Sequence, residues 1–217
     1  MTEIVPSILT NDVSDFRKKY AELLPISHLF SKLHIDFADG MFVNSKTILP
    51  KDISFFKSSC ALTAHLMVMH PEQYFTDLKK IGFLGVLFHL EAFENNDQIR
   101  EALDHAWRLE LKPGLVLNPE TTIEKAFPFL MHSGMVQIMS VNPGLQGKEF
   151  IPETLNRIAA IHDQGRGTVI IVDGGIRVGI AQQCARAGAN ILVVGSGLSV
   201  SEDMAMAIEI LQADVAI

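Results

Sequence analysis

Residues 169–196 read VIIVDGGIRVGIAQQCARAGANILVVGS, and this stretch decides the fold. It opens on an apolar run, 169–172, that is too short for a helix and too continuously apolar for a strand with one wet face. Strands buried on both faces read this way, and they belong to parallel sheets covered by helices. A helical pattern follows over 178–187, and a second apolar run closes the unit at 191–194. A strand, a helix and another strand in that order imply a parallel pair joined by a crossover.

Outward from this unit the same rhythm fills the chain. Further apolar runs lie at 5–9, 33–37, 62–68, 85–89, 114–117 and 135–141, with helical patterns over 12–23, 72–80, 97–109 and 151–162. Eight parallel strands alternating with helices close a barrel, so the expected fold is α/β: a single (β/α)8 TIM barrel over residues 1–217. An open doubly wound sheet is the alternative, but it gathers its polar residues at one switch point. Here they finish almost every run: Ser7, His34 with Asp36, His65, His89 with Glu91, Asn118, Ser140 with Asn142, Asp173, and Gly195 with Ser196.

Composition narrows the partners. The 18 basic residues against 25 acidic ones leave a net charge of −7, which argues against nonspecific nucleic-acid or anionic-membrane binding. An anionic ligand therefore needs a local site. The apolar segment 188–198 is far shorter than the ~20 residues that span a bilayer, and the chain opens with no signal-peptide pattern. Cys60 and Cys184 lie far apart and form no CxxC pair, as expected of free thiols in a reducing cytosol. The expected localisation is cytoplasmic.

The run ends carry the chemistry. Side chains two apart on a strand share a face, so His34 and Asp36 point to one side together. In a closed barrel they converge with His65 and Asp173. Singly, each has an ordinary reading, as a hydrogen-bonded core histidine or a helix-capping aspartate. As a set, two imidazoles and two carboxylates suit one divalent metal ion, and zinc, iron(II), manganese and cobalt all satisfy the ligand types. Asp173-Gly174-Gly175 and Gly195-Ser196-Gly197 follow the last two runs, where barrels often hold phosphate against backbone N–H groups. Segment 142–147 offers a third wall. Met41, Met67 and Met139 are either core filling or the apolar lining of a dry site. His89 and Glu91 are either a structural polar pair or support for the metal residues.

At this point the chain resembles a known family. Pro6-Ser7-Ile8-Leu9, His34-Ile35-Asp36 with Asp39-Gly40, and His65-Leu66-Met67-Val68 match ribulose-phosphate 3-epimerases. So do His89-Leu90-Glu91-Ala92, the segment from Gly114 to Asn118-Pro119, Met139-Ser140-Val141-Asn142-Pro143-Gly144, Val172-Asp173-Gly174-Gly175 and Gly195-Ser196. The resemblance spans nearly the whole chain. It implies a (β/α)8 barrel, a divalent metal on His34, Asp36, His65 and Asp173, and Asp36 and Asp173 as the acid/base pair. It implies a small-molecule sugar phosphate held by Ser7, His65, Asp173 and the phosphate-side residues Gly144, Leu145, Gln146, Gly147, Gly174, Gly175, Gly195 and Ser196. It also implies a homo-oligomer.

The reaction implied is epimerisation at C3 of D-ribulose 5-phosphate to D-xylulose 5-phosphate, by two-base proton transfer through a metal-stabilised enediolate. The chain departs from the family pattern at Ala38, where methionine is usual, at Asn44-Ser45, and in the sixth loop at Leu145-Gln146-Gly147-Lys148. Ala38 leaves room for a hexulose 6-phosphate such as D-allulose 6-phosphate, which is the first rival substrate. The altered sixth loop motivates a second rival, a non-catalytic sugar-phosphate-binding barrel.

Overall fold

The computed structural model describes residues 2–144, 147–164 and 167–216. Along the chain lie β1 (Glu3–Ile8), α1 (Val13–Leu23), β2 (Lys32–Ala38), β3 (Ala61–Met67), α2 (Phe75–Ile81), β4 (Phe83–His89), α3 (Asn96–Arg108) and β5 (Lys112–Leu117). There follow α4 (Leu130–Ser133), β6 (Met135–Met139), α5 (Thr154–Gln164), β7 (Val169–Asp173), α6 (Ile180–Ala187), β8 (Ile191–Val194), α7 (Ser196–Ser199) and α8 (Met204–Val215). Each strand pairs in parallel with the next, and β8 pairs back onto β1 with Ile191 opposite Glu3. The sheet closes, so the fold is the (β/α)8 barrel that the apolar rhythm predicts.

Closure explains why the runs are apolar throughout. Successive side chains on a strand point into the barrel and out toward the helices by turns. Outward residues such as Ile35, Phe37, Leu66, Phe88, Ile138 and Val172 pack with Phe16, Leu103, Ile158 and Cys184 of the surrounding helices. Inward residues Leu87, Val116, Met139, Ile171 and Val193 form a second, smaller core inside the barrel. Neither face of the sheet is wet. The helices start where polar caps allow: Asp12 accepts from the Asp15 N–H ahead of α1, and Asn95 accepts from the Asp97 and Gln98 N–H groups ahead of α3. Such caps satisfy N–H groups that have no partner within the helix.

The structure also corrects the pattern locally. The helix expected over 72–80 begins only at Phe75, because Pro71 opens a 3-10 turn over Pro71–Tyr74. Between β2 and β3 the crossover carries a 3-10 turn, Pro50–Ile53, in place of an α-helix. β6 stops at Met139 rather than at 141, and its last bond to β7 is the one the Ser140 N–H donates to the Asp173 carbonyl. Helix α8 was not singled out in the sequence, because its apolar residues do not gather into one stripe.

The interior leaves no spare volume at Gly114. A Cβ there would lie 2.4 Å from Leu87 Cδ2 and 2.9 Å from Met135 Cβ. Gly114→Ala is therefore expected to destabilise the protein by about 1–3 kcal/mol through overpacking. Urea unfolding checks this, and an unchanged midpoint would show that the inner core tolerates the added methyl.

Candidate active site

Strands β2, β3 and β7 place His34, Asp36, His65 and Asp173 at the barrel mouth, and one ligand atom from each lies within 4.8 Å of all the others. Asp36 stands opposite His65 in the β2–β3 register, and Ser7 stands opposite His34. His65 Nδ1 is 2.8 Å from Asp36 Oδ1 and 3.5 Å from Asp173 Oδ2. His34 Nε2 is 3.3 Å from Asp36 Oδ1 and 3.8 Å from Asp173 Oδ2. That His34 nitrogen is buried and makes no hydrogen bond among the described residues. A buried polar atom without a partner is costly. Here it is aimed at two carboxylates and a second imidazole, and this donor set fits a divalent cation.

The charges in the site pull the two carboxylates apart. For Asp36, burial favours the neutral acid, but the charge of His34 and the charge and hydrogen bond of His65 outweigh it and hold the carboxyl well below its ordinary range. For Asp173, burial acts together with the Asp36 charge and pushes the carboxyl up to about 6. Burial lowers His65. It would lower His34 too, but the Asp36 charge more than compensates and raises it. Two like groups with opposite displacements are a recurring mark of acid/base sites.

A cleft opens above these residues. Ser7, Asp36, His65 and Asp173 line it, as do Gly144, Gly147, Gly174, Gly175, Gly195 and Ser196. Every site residue predicted from sequence is thus gathered at one end of the barrel, except Leu145 and Gln146, which lie outside the described residues; His34 does not line the cleft but clusters with Asp36, His65 and Asp173. Gly174 and Gly175 have φ of +115° and +63°, a conformation that L side chains rarely adopt. A Cβ on Gly175 would also lie 2.7 Å from the Phe150 backbone nitrogen. Ser140 holds this turn from below, its hydroxyl within 2.9 Å of the Asp173 carbonyl and 2.5 Å of that of Gly174.

Met67 and Met139 line the cleft, but Met41 does not and is 78% exposed. Ala38 is fully buried and does not line the cleft, so the extra room expected from it is not found among the described residues. The Asn44-Ser45 loop packs against the sixth loop, since a Cβ on Gly144 would lie 2.7 Å from Ser45 Oγ. The sequence reading missed Gln137. Its side-chain amide donates to Asp173 Oδ2 at 3.1 Å from a fully buried inward position on β6. A signal was present: Gln137 is the one polar residue in the five-residue strand Met135–Met139. Lys148 also lines the cleft and is the only basic side chain among the described lining residues apart from His65.

This constellation has relatives. The family model for the ribulose-phosphate 3 epimerase family matches residues 3–199. The chain belongs to that family. It is 31% identical to the ribulose-phosphate 3-epimerase of Schizosaccharomyces pombe over 90% of this chain and 86% of that one. It is 33% identical to the enzyme of the same name from Synechocystis over 94% and 90%. Membership in the ribulose-phosphate 3-epimerase family makes the chain an isomerase of the racemase and epimerase class acting on carbohydrates. Among solved structures, 3-hexulose-6-phosphate synthase from Salmonella typhimurium superposes with a TM-score of 0.74 at 13% identity, covering 99% of this chain and 98% of that one. At that identity the likeness concerns the fold alone. Among the described residues no helix is long and apolar enough to cross a membrane.

The raised Asp173 has a consequence for stability. Its folded value lies above the ordinary 3.8, so its contribution is complete below about 3.8 and is lost as pH rises through about 6. Above that pH, metal-free protein holds two ionised carboxylates side by side, and a divalent cation that replaces the lost proton stabilises most. Zinc is therefore expected to raise the melting temperature more at pH 7.5 than at pH 5.0. Equal shifts at the two pH values would contradict this reading of the site.

Proposed function

We propose that the protein interconverts D-ribulose 5-phosphate and D-xylulose 5-phosphate by proton transfer at C3. The observation that carries the reading is the pair of carboxylates, buried Asp36 and half-buried Asp173, facing one cleft with two imidazoles beside them. The family relationship supports the pentose phosphate substrate. His34, Asp36, His65 and Asp173 would hold one divalent metal ion, and the buried His34 nitrogen, which faces both carboxylates without a hydrogen bond among the described residues, supports that assignment. When bound, such an ion supplies Lewis-acid stabilisation for the negative charge that develops on the substrate oxygens.

The chain's own residues do the rest. A C3–H is a weak acid, and inversion needs one proton-transfer group on each face of the flattened carbon. Asp36, held ionised, removes the proton in one direction of reaction. Asp173, whose pKa is raised, returns one to the opposite face. In the reverse direction the roles exchange. Gln137 keeps the Asp173 carboxylate in place through its amide. Ser7 lies against the sugar. Gly174-Gly175, Gly195-Ser196, Gly144 and Gly147 receive the phosphate through backbone N–H groups, which suits a chain whose net charge of −7 attracts no anion at long range. Met67 and Met139 keep the reacting carbon in apolar surroundings.

Asp36→Asn and Asp173→Asn are each expected to lower kcat by about 10²–10⁴-fold on D-ribulose 5-phosphate, because amides transfer no proton. A coupled assay for xylulose 5-phosphate, run with circular dichroism and metal analysis, checks this. Turnover near wild type in either folded, metal-loaded variant would sink the two-base scheme.

A further inference from the structure

Behind His65, on the side away from the metal ligands, a line of polar groups runs into the barrel wall that the proposed reaction does not use. His65 Nε2 lies 3.0 Å from His89 Nε2, and the two rings stack with centroids 5.1 Å apart. The other His89 nitrogen, Nδ1, faces Glu91 Oε2 at 3.4 Å, an ion-pair distance, and neither atom has a hydrogen-bond partner among the described residues. Glu91 Oε1 accepts from the Asn118 N–H at 2.9 Å and from the Thr121 hydroxyl. Arg157 on α5 donates through Nη2 to the carbonyls of Asn118 and Thr121, at 2.9 Å each. His89 is completely buried, and the Phe42 ring lies 4.5 Å away, centroid to centroid.

Hydrogen bonds have a polarity, and this line is read from its anchored end. A carboxylate only accepts, so the His89 nitrogen facing Glu91 carries the proton. A neutral imidazole with its proton on Nδ1 has a lone pair on Nε2. The 3.0 Å contact then requires His65 Nε2 to be the donor. With its proton on Nε2, neutral His65 turns a lone pair on Nδ1 toward Asp36 and Asp173, which a cation between them makes favourable; without one, Nδ1 keeps a proton for the Asp36 carboxylate 2.8 Å away. Metal-ligating histidines are commonly oriented by an acceptor on their second nitrogen. Here that acceptor is itself a histidine, so the polarity has to be set one residue further out.

We propose that His89 and Glu91, anchored through Asn118, Thr121 and Arg157, are positioning residues that hold His65 in the tautomer able to ligate a metal through Nδ1. The inference rests on the metal site proposed above and adds which residues prepare it. Glu91→Gln is the informative change, since it keeps the shape and reverses the polarity. Its oxygen retains the Asn118 and Thr121 donors, so its NH2 turns toward His89 Nδ1. His89 then presents a lone pair to that amide and a proton to His65 Nε2, and His65 is driven to carry its own proton on Nδ1, against the metal.

The test uses the intact chain and zinc. Zinc affinity is measured by chelator competition for wild type and Glu91→Gln, with circular dichroism as the check on folding. Nitrogen-15 spectra of histidine-labelled, zinc-loaded wild type assign each ring proton, and this part holds even where the variant fails to fold. The expected results are a zinc affinity about 10–100-fold weaker in Glu91→Gln, and in wild type a proton on Nδ1 of His89 and on Nε2 of His65. Equal affinities in a folded variant, or a His89 proton on Nε2 with zinc bound, would overturn the inference and leave the metal site intact. Failure of wild type to bind zinc would overturn the metal site and this inference with it.

Discussion

Everything at the mouth of this barrel follows from one constraint: two carboxylates, one buried and one half-buried, sit side by side and cannot both stay ionised unless positive charge compensates them. The apolar inner core below and the closed sheet around them keep bulk water from doing so. The imidazoles of His34 and His65 answer part of the demand, and they do so unevenly. Asp36 lies nearer to both rings and is held ionised, whereas Asp173 is left with burial and a like charge and rises to about 6. A divalent cation among the four would meet the rest of the demand. The same imbalance that calls for a cation also yields two carboxyl groups of different basicity, which proton transfer across a flattened carbon requires.

The barrel is what makes this arrangement affordable in sequence terms. Several strands contribute one or two inward polar groups above apolar ones, so the site is spread thinly over several elements. No single loop carries it. Support comes from further out: Gln137 from β6 to Asp173, Ser140 under the Gly174 turn, and the line from His65 through His89 and Glu91 to Arg157 on α5. Rigid strands and buried hydrogen bonds hold the proposed reacting groups, and the glycine turns beside them line the same cleft.

Much of this was legible in the chain. The eight apolar runs marked all eight strands because both faces of each are packed, and β-branched runs of four to seven residues leave little else to read. His34-Ile35-Asp36 was legible because a spacing of two places both side chains on one face, and closure then brought His65 and Asp173 to them. What was not legible depended on distant partners. Gln137 reads as an ordinary polar residue until Asp173 is seen beside it. Ala38 reads as added room until its burial away from the cleft is seen. The direction of the His65–His89–Glu91 line needs the Thr121 and Asn118 donors, which lie about 30 residues further along the chain. Helix α8 lacks the apolar stripe on which helical pattern recognition relies.

The central claim is that this site moves a proton at C3 of a pentulose phosphate, and the most direct measurement follows that proton. Metal-reconstituted protein is incubated with D-ribulose 5-phosphate in D2O, and the C3 proton is followed by NMR beside a chelated control. The account predicts metal-dependent loss of the C3 proton signal with xylulose 5-phosphate appearing. A C3 proton that persists in protein shown to hold its metal would contradict it.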